Sequence, residues 1–277
     1  MNNQNETFNS NIMITPNPND AKLTQLVKGK NEIGDNIDLS VVTEKALTIY
    51  LNSQEIVTTM TLGDMPKELA IGYLLNQNML QLDDKINEIE YDEDLEVVIV
   101  RTQRKTNYEK KLSKKIRTSG CAVGTVFGDM MERFSDIKLN QSSKIKSSWM
   151  TSISKNLMSI PSLYLKAGAI HGCALTFKDN IMAYVEDVGR HNAVDKIAGW
   201  MFLNNIKGQD KIFYTTGRLT SEMVIKTVQM EIPILLSRSG FTESGVNLAR
   251  DAKLTLIGRM KGKRFIILSG ENRVVYD

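Results

Sequence analysis

Beyond residue 165 the chain alternates between two apolar periods. "AIHGCALTF" (169–177) and "IMAYVED" (181–187) have the short apolar runs of strands, and Lys178-Asp179-Asn180 between them predicts a hairpin turn. "NAVDKIAGWMFLNN" (192–205) follows as a helix and "KIFYTT" (211–216) as a strand. "TSEMVIKTVQM" (220–230) is a helix with Thr220 or Ser221 as its cap, and "IPILLS" (232–237) is a strand. "TESGVNLARDA" (242–252) is a helix opened by Thr242. "KLTLIGRMKGKRFIIL" (253–268) closes the pattern as a strand pair around Lys261-Gly262-Lys263. Strands alternating with helices in this way predict an α/β layer with parallel strands.

The first half is patterned differently. Residues 1 to about 35 show no apolar period and read as a mobile tail. "KALTIYLNSQEIVTTMTL" (45–62) predicts two strands around Asn52-Ser53-Gln54. In "PKELAIGYLLNQNML" (66–80) Leu69, Tyr73, Leu74 and Met79 fall near one helical face, with Pro66 in the first turn. An acidic stretch (83–96) and a basic one (101–117) read as a solvated strand pair with its connection. Helices are expected at 124–136 and 147–160, on either side of a polar linker. The expected division is a tail (1–35), a smaller N-terminal α+β region (36–120) and an α/β region (121–277) that carries the anion-binding loops.

Composition narrows the classes without choosing among them. A chain of 277 residues with 42% hydrophobic and 24% charged positions can bury an enzyme-sized core. The net charge of +3 is too small to argue for nucleic acid. The opening "MNNQNETFNSNIMITPNPND" lacks a basic segment followed by an apolar core, and no apolar run approaches the ~20 residues needed to span a bilayer. With only Cys121 and Cys173, a disulfide scaffold is not expected, and a reducing, cytosolic setting is the default.

The candidate chemistry lies where strands pass into helices. "DVGRHN" holds Gly189 and Arg190, "TTGRLTS" holds Gly217 and Arg218, and "SRSGFTES" holds Arg238 and Gly240. In an open parallel sheet such loops gather at the carboxyl edge of the strands. Helix starts there offer free N–H groups and a partial positive charge, glycine admits a ligand to the backbone, and arginine grips phosphate oxygens. One such arginine reads as a surface residue. Three at corresponding positions read as a site for a nucleotide or pyrophosphate.

The other reactive residue types carry less. His171 lies on an expected strand, where a lone histidine is more often a hydrogen-bonded core residue than a ligand. His191 sits at a helix start, which favours the neutral imidazole. A zinc deaminase would show His-x-Glu and Pro-Cys-x-x-Cys, and neither is present, so no metal site is expected. A Gly-x-Ser-x-Gly elbow is also missing. Cys121, in "RTSGCAVGT", follows the basic run and reads as an exposed thiol whose pKa neighbouring cations lower, whereas Cys173 in an apolar strand reads as a buried small hydrophobe.

Taken in order, "GAIHGCAL", "EDVGRHNAVDK", "TTGRLTSEMVIK" and "SRSGFTESGVNLA" resemble the FdhD family of formate dehydrogenase accessory sulfurtransferases, over roughly residues 36 to 270. The resemblance implies a cytosolic sulfur carrier that takes persulfide sulfur from a cysteine desulfurase. It passes that sulfur to the molybdenum cofactor, as bis(molybdopterin guanine dinucleotide), before insertion into formate dehydrogenase. It also implies a cytidine-deaminase-like layered α/β fold without zinc, and a homodimer. Residue by residue, the persulfide-bearing cysteine falls on Cys121, and the cofactor-binding segment on Arg259, Met260, Lys261, Gly262, Lys263 and Arg264. The arginine loops add Arg190, His191, Gly217, Arg218 and Arg238 to the expected cofactor contacts. Two departures stand out: Gly124 replaces the second cysteine of the family's Cys-x-x-Cys, and Arg259 stands where an aromatic is usual. The alternative is a nucleotide- or nucleic-acid-binding protein that uses the same loops with Cys121 incidental; a persulfide on Cys121 separates the two.

Overall fold

The computed structural model describes residues 12–104 and 127–277. Among the described residues five strands come first: β1 (Met13–Thr15), β2 (Thr24–Lys30), β3 (Asn36–Val42), β4 (Lys45–Leu51) and β5 (Gln54–Thr61). Helix α1 (Pro66–Asn76) leads to β6 (Ile86–Asp92) and β7 (Val97–Thr102). Beyond residue 126 come α2 (Phe127–Asp136), β8 (Ile145–Lys146), α3 (Ser147–Ser159) and α4 (Leu163–Ala167). The hairpin β9 (His171–Phe177) and β10 (Asn180–Asp187) is followed by α5 (Arg190–Leu203), β11 (Lys211–Thr215), α6 (Ser221–Gln229) and β12 (Ile234–Ser237). The last elements are α7 (Glu243–Asp251), β13 (Thr255–Lys261), β14 (Arg264–Ser269) and β15 (Val274–Val275).

The main sheet is mixed, in the order β1-β10-β9-β11-β12-β13-β14. Only β11, β12 and β13 form the expected parallel run. The hairpins β9–β10 and β13–β14 add antiparallel members, because two-residue turns join them directly. The residues expected to be a tail are also structured from Ile12 on. Met13–Thr15 pairs in parallel with Ala183–Val185, and β2 forms a seven-residue antiparallel ladder with β3. Residues 1–11 and the Cys121 segment lie outside the described residues.

Alternation along the main strands feeds two cores. Cys173, Leu175, Val185, Phe213, Leu235 and Leu256 face α5 and α6, whereas Ala174, Tyr184, Ile212, Tyr214 and Leu236 face α3. A second sheet, β5-β4-β7-β6, packs Leu47, Ile49, Val98 and Val100 against α1. Helix α1 in turn crosses α5 at two glycines so closely that a Cβ on Gly72 would stand 1.7 Å from the Asp195 carbonyl oxygen, and one on Gly199 1.9 Å from that of Glu68. The backbones therefore touch, and the smaller sheet is locked to the helix that carries "GRHNAVDK". No described helix is long and apolar enough to cross a membrane.

Candidate functional site at the carboxyl edge of the main sheet

The motif "EDVGRHNAVDK" turns out to be mostly a set of buried polar pairs. Glu186 accepts from Ser162 Oγ at 2.5 Å, Leu163 N at 2.7 Å and the Tyr184 hydroxyl at 3.0 Å, which pins α4 to the end of β10. Asp187 accepts from Thr61 Oγ1, Gly189 N and Asn192 Nδ2, and lies 2.6 Å from Lys196 Nζ. Lys196 Nζ also reaches Asp64 at 2.5 Å, and Asp195 pairs with Lys226 at 2.6 Å. Burial would lower the Lys196 pKa, but the Asp187 and Asp64 carboxylates outweigh it and raise the pKa. These residues fix the turn between β10 and α5 and tie it to the smaller sheet.

Arg190 is the exception. It is 6% exposed, yet among the described residues its Nε and Nη2 have no hydrogen-bond partner. Its stem lies across Gly217, where a Cβ would stand 3.0 Å from Arg190 Cδ and 3.2 Å from its Cβ. The residue at 217 must be small for this arginine to lie there. His191, next along, points Nε2 to within 3.1 Å of Glu222 Oε2 at the start of α6, although the alignment is not that of a hydrogen bond.

The three expected loops do meet: Arg190 of the first lies over Gly217 of the second, and hydrogen bonds lace the second to the third and the third to β13. Ser237 Oγ donates to the Gly217 carbonyl at 2.7 Å, Leu219 N to Gly240 O at 2.9 Å and Arg259 N to Ser239 O at 2.8 Å. His171, at the start of β9, lies among them with Nδ1 3.4 Å from Thr216 Oγ1. Burial, and then the charges of Arg190, Arg238, His191 and Arg218, hold its pKa below the ordinary value. His191 is likewise held down, first by burial, with Glu222 opposing. Both rings are therefore neutral near pH 7, and the positive field at this edge comes from the arginines.

On the α3 side of the same edge lies a cavity of about 460 Å³, within the size range of small-molecule sites. Arg238, Lys261, Glu186 and Thr216 supply its polar wall, and Leu157, Met158 and Met260 part of its apolar one. Arg238 is exposed and holds its guanidinium 5.2 Å from the centre of the Tyr164 ring. A planar apolar group with an anionic end suits such a cavity.

The model of the FdhD/NarQ family matches residues 42–275. This chain belongs to the FdhD/NarQ family. Among curated relatives, "Sulfur carrier protein FdhD" of Listeria monocytogenes serotype 4b is 30% identical over 251 residues, covering 86% of this chain and 92% of its own. The protein of the same name from Bacillus pumilus is 28% identical over 239 residues, covering 84% and 90%. Among solved structures, a formate dehydrogenase accessory protein from Desulfotalea psychrophila superposes with a TM-score of 0.73 at 26% identity, covering 91% of this chain and 98% of its own.

The segment 259–264, expected to contact the cofactor, divides in space. Met260, Lys261 and Gly262 line the cavity, whereas Arg259, Lys263 and Arg264 are exposed and are not among its lining residues. Arg218 is also exposed and not part of the cavity wall. Cys173 is fully buried, with its thiol 3.4 Å from Thr215 Oγ1, and burial pushes its pKa up to about 12. Sequence reasoning missed Glu186, Tyr164 and Thr216 as site residues. Glu186 stood inside the most specific motif, but Tyr164 belongs to a five-residue helix without an apolar period.

Proposed function

We propose that this FdhD/NarQ member is a cytosolic sulfur carrier and sulfurtransferase. It accepts persulfide sulfur on Cys121 from a cysteine desulfurase and passes it to the molybdenum cofactor, bis(molybdopterin guanine dinucleotide), before the cofactor enters formate dehydrogenase. The observation that carries the reading is a nucleotide-sized cavity at the sheet edge lined by Arg238 and Lys261, with Arg190 seated on the neighbouring Gly217 loop. A cargo with two guanine dinucleotides brings two pyrophosphates, which such cations bind through charge-assisted hydrogen bonds. The names of the curated relatives and of the solved structure support the same role.

The Cys121 thiolate attacks the terminal sulfur of the donor persulfide; the donor leaves as a thiolate, and Cys121 keeps the sulfur as its own persulfide. With Gly124 in place of a second cysteine and Cys173 sealed in the core, transfer runs through one thiol. We also propose the homodimer and the cytidine-deaminase-like layering that the resemblance implies. Cys121→Ser is expected to abolish maturation of the recipient dehydrogenase while Cys173→Ser retains it. Maturation that survives Cys121→Ser, but fails in a stably folded Cys173→Ser, would assign the chemistry to the other sulfur.

A further inference from the structure

We infer that a second cavity, at the amino edge of the main sheet, is a binding site for a small apolar monocarboxylate, with Arg133 as the residue that takes the carboxylate. The inference goes beyond the sulfur-carrier reading and does not rest on it.

The ends of α1, α5 and α6 meet α2 around a cavity of about 240 Å³. The first site lies at the starts of α5 and α6, and a helix as long as α5 puts its two ends about 20 Å apart. The two cavities share no lining residue. The floor of the second is apolar, formed by Leu75, Met201, Phe202, Ile206 and Met230. At roughly 25 Å³ per heavy atom, the ratio for benzene in a cavity of about 150 Å³, the space holds about ten non-hydrogen atoms.

Arg133 enters this wall from α2. It is partly buried, and among the described residues its side chain makes no hydrogen bond or ion pair. Burial lowers its pKa, and the charges of Glu231 and Asp83 oppose that without coming within ion-pair distance. The acids of the wall are engaged elsewhere. Asp84 accepts from Arg104 Nε and Nη2, both at 2.6 Å, and Glu231 accepts from Gln209 Nε2 at 3.3 Å. The Arg133 fork is therefore the free donor of the cavity.

These features select the ligand. A planar guanidinium takes a carboxylate in bidentate fashion, and the apolar floor takes the body that carries it. A dianion such as a phosphate would gain the same arginine but would also face the Asp84 and Glu231 carboxylates across a narrow space. A neutral ligand would cover Arg133 without pairing it, which costs free energy at a partly desolvated site. The place matters to the rest of the molecule. Asp84 holds Arg104, the last described residue before 105–126, and Arg133 stands on the first element after that segment. A ligand here touches both elements from which the chain carrying Cys121 departs and returns.

The test is calorimetric titration of the full chain with phenylacetate, a monocarboxylate of the right size. Saturable binding is expected for the wild type and for Arg101→Ala, an exposed control on β7. Phenylacetamide, the neutral isostere, and phenyl phosphate, the dianion, should each bind at least about tenfold more weakly. Arg133→Met should weaken phenylacetate at least about tenfold, the scale of a lost charge-assisted hydrogen bond. Glu231→Gln should narrow the gap between phenylacetate and phenyl phosphate, which keeps the test valid if Arg133→Met does not fold. The first cavity also sets an arginine beside an aromatic ring, so the titration is repeated with saturating guanosine diphosphate. Displacement by the nucleotide would place phenylacetate in the first cavity and overturn the inference. So would the absence of saturable binding, equal binding of phenylacetamide, or full affinity in a folded Arg133→Met.

Discussion

Arg190 lies across Gly217, so that a Cβ at 217 would stand 3.0 Å from Arg190 Cδ. The glycine that reads in sequence as an approach path for a ligand is thus a seat for an arginine. Gly217→Ala should shift Arg190 while leaving the bond from Ser237 Oγ to the Gly217 carbonyl in place. Guanosine diphosphate affinity is expected to fall by about 1–2 kcal/mol, with thermal stability almost unchanged. Calorimetric titration checks this, and unchanged affinity would remove Arg190 from the binding edge.

The segment 259–264 should split in function as it does in space. Lys261 lines the cavity and Arg264 does not. Lys261→Glu should weaken guanosine diphosphate strongly, and the loss should grow at low salt, where screening is least. Arg264→Glu should change affinity by less than about 1 kcal/mol. Equal losses in the two variants would favour a general surface field over a cavity contact.

Much of this was legible in the chain, for definite reasons. The strands of 169–268 and helices α6 and α7 repeat apolar residues on the faces they bury, so the alternation of the main layer could be read directly, although α5 is buried nearly all round and shows no such period. The strand Met13–Thr15 could not, because three residues hold their place by backbone pairing to Ala183–Val185 and show no period. Strands β2 and β3 were equally hidden, since most of their side chains are exposed on both faces. The polar density of "EDVGRHNAVDK" marked the turn where the loops gather but overstated its reactivity. Asp187, Asn192, Asp195 and Lys196 are spent on holding the turn, and charge in a sequence does not reveal whether its partner is a ligand or another side chain.

The crossing of α1 and α5 gives a sharper stability test than any of the charges. Gly72→Ala would drive a methyl group to 1.7 Å from the Asp195 carbonyl oxygen, where only backbone movement could relieve it. A loss on the order of 3 kcal/mol is expected from overpacking, and Gly199→Ala should behave likewise. Denaturant unfolding at equilibrium measures both. Wild-type midpoints would mean that the two helices are not in backbone contact.

Cys173 makes a prediction in pH. Burial raises its thiol pKa from 9.0 to about 12, so the folded chain keeps it protonated while the unfolded chain ionises near its ordinary value. The stability this contributes is fully present below pH 9 and is lost as pH rises towards 12. Iodoacetamide at pH 8 should therefore label the native protein once, at Cys121, and twice after denaturation. Rapid native labelling of Cys173 would contradict its burial.

The most direct measurement is intact-mass analysis of the full chain after incubation with a cysteine desulfurase and cysteine. The wild type should gain the mass of one sulfur atom, located by peptide mapping at Cys121 and removed by a reductant. Cys121→Ser should gain none, and Cys173→Ser should gain as much as the wild type. A wild type that gains no sulfur, or sulfur that persists in Cys121→Ser, would contradict a single-thiol sulfur carrier.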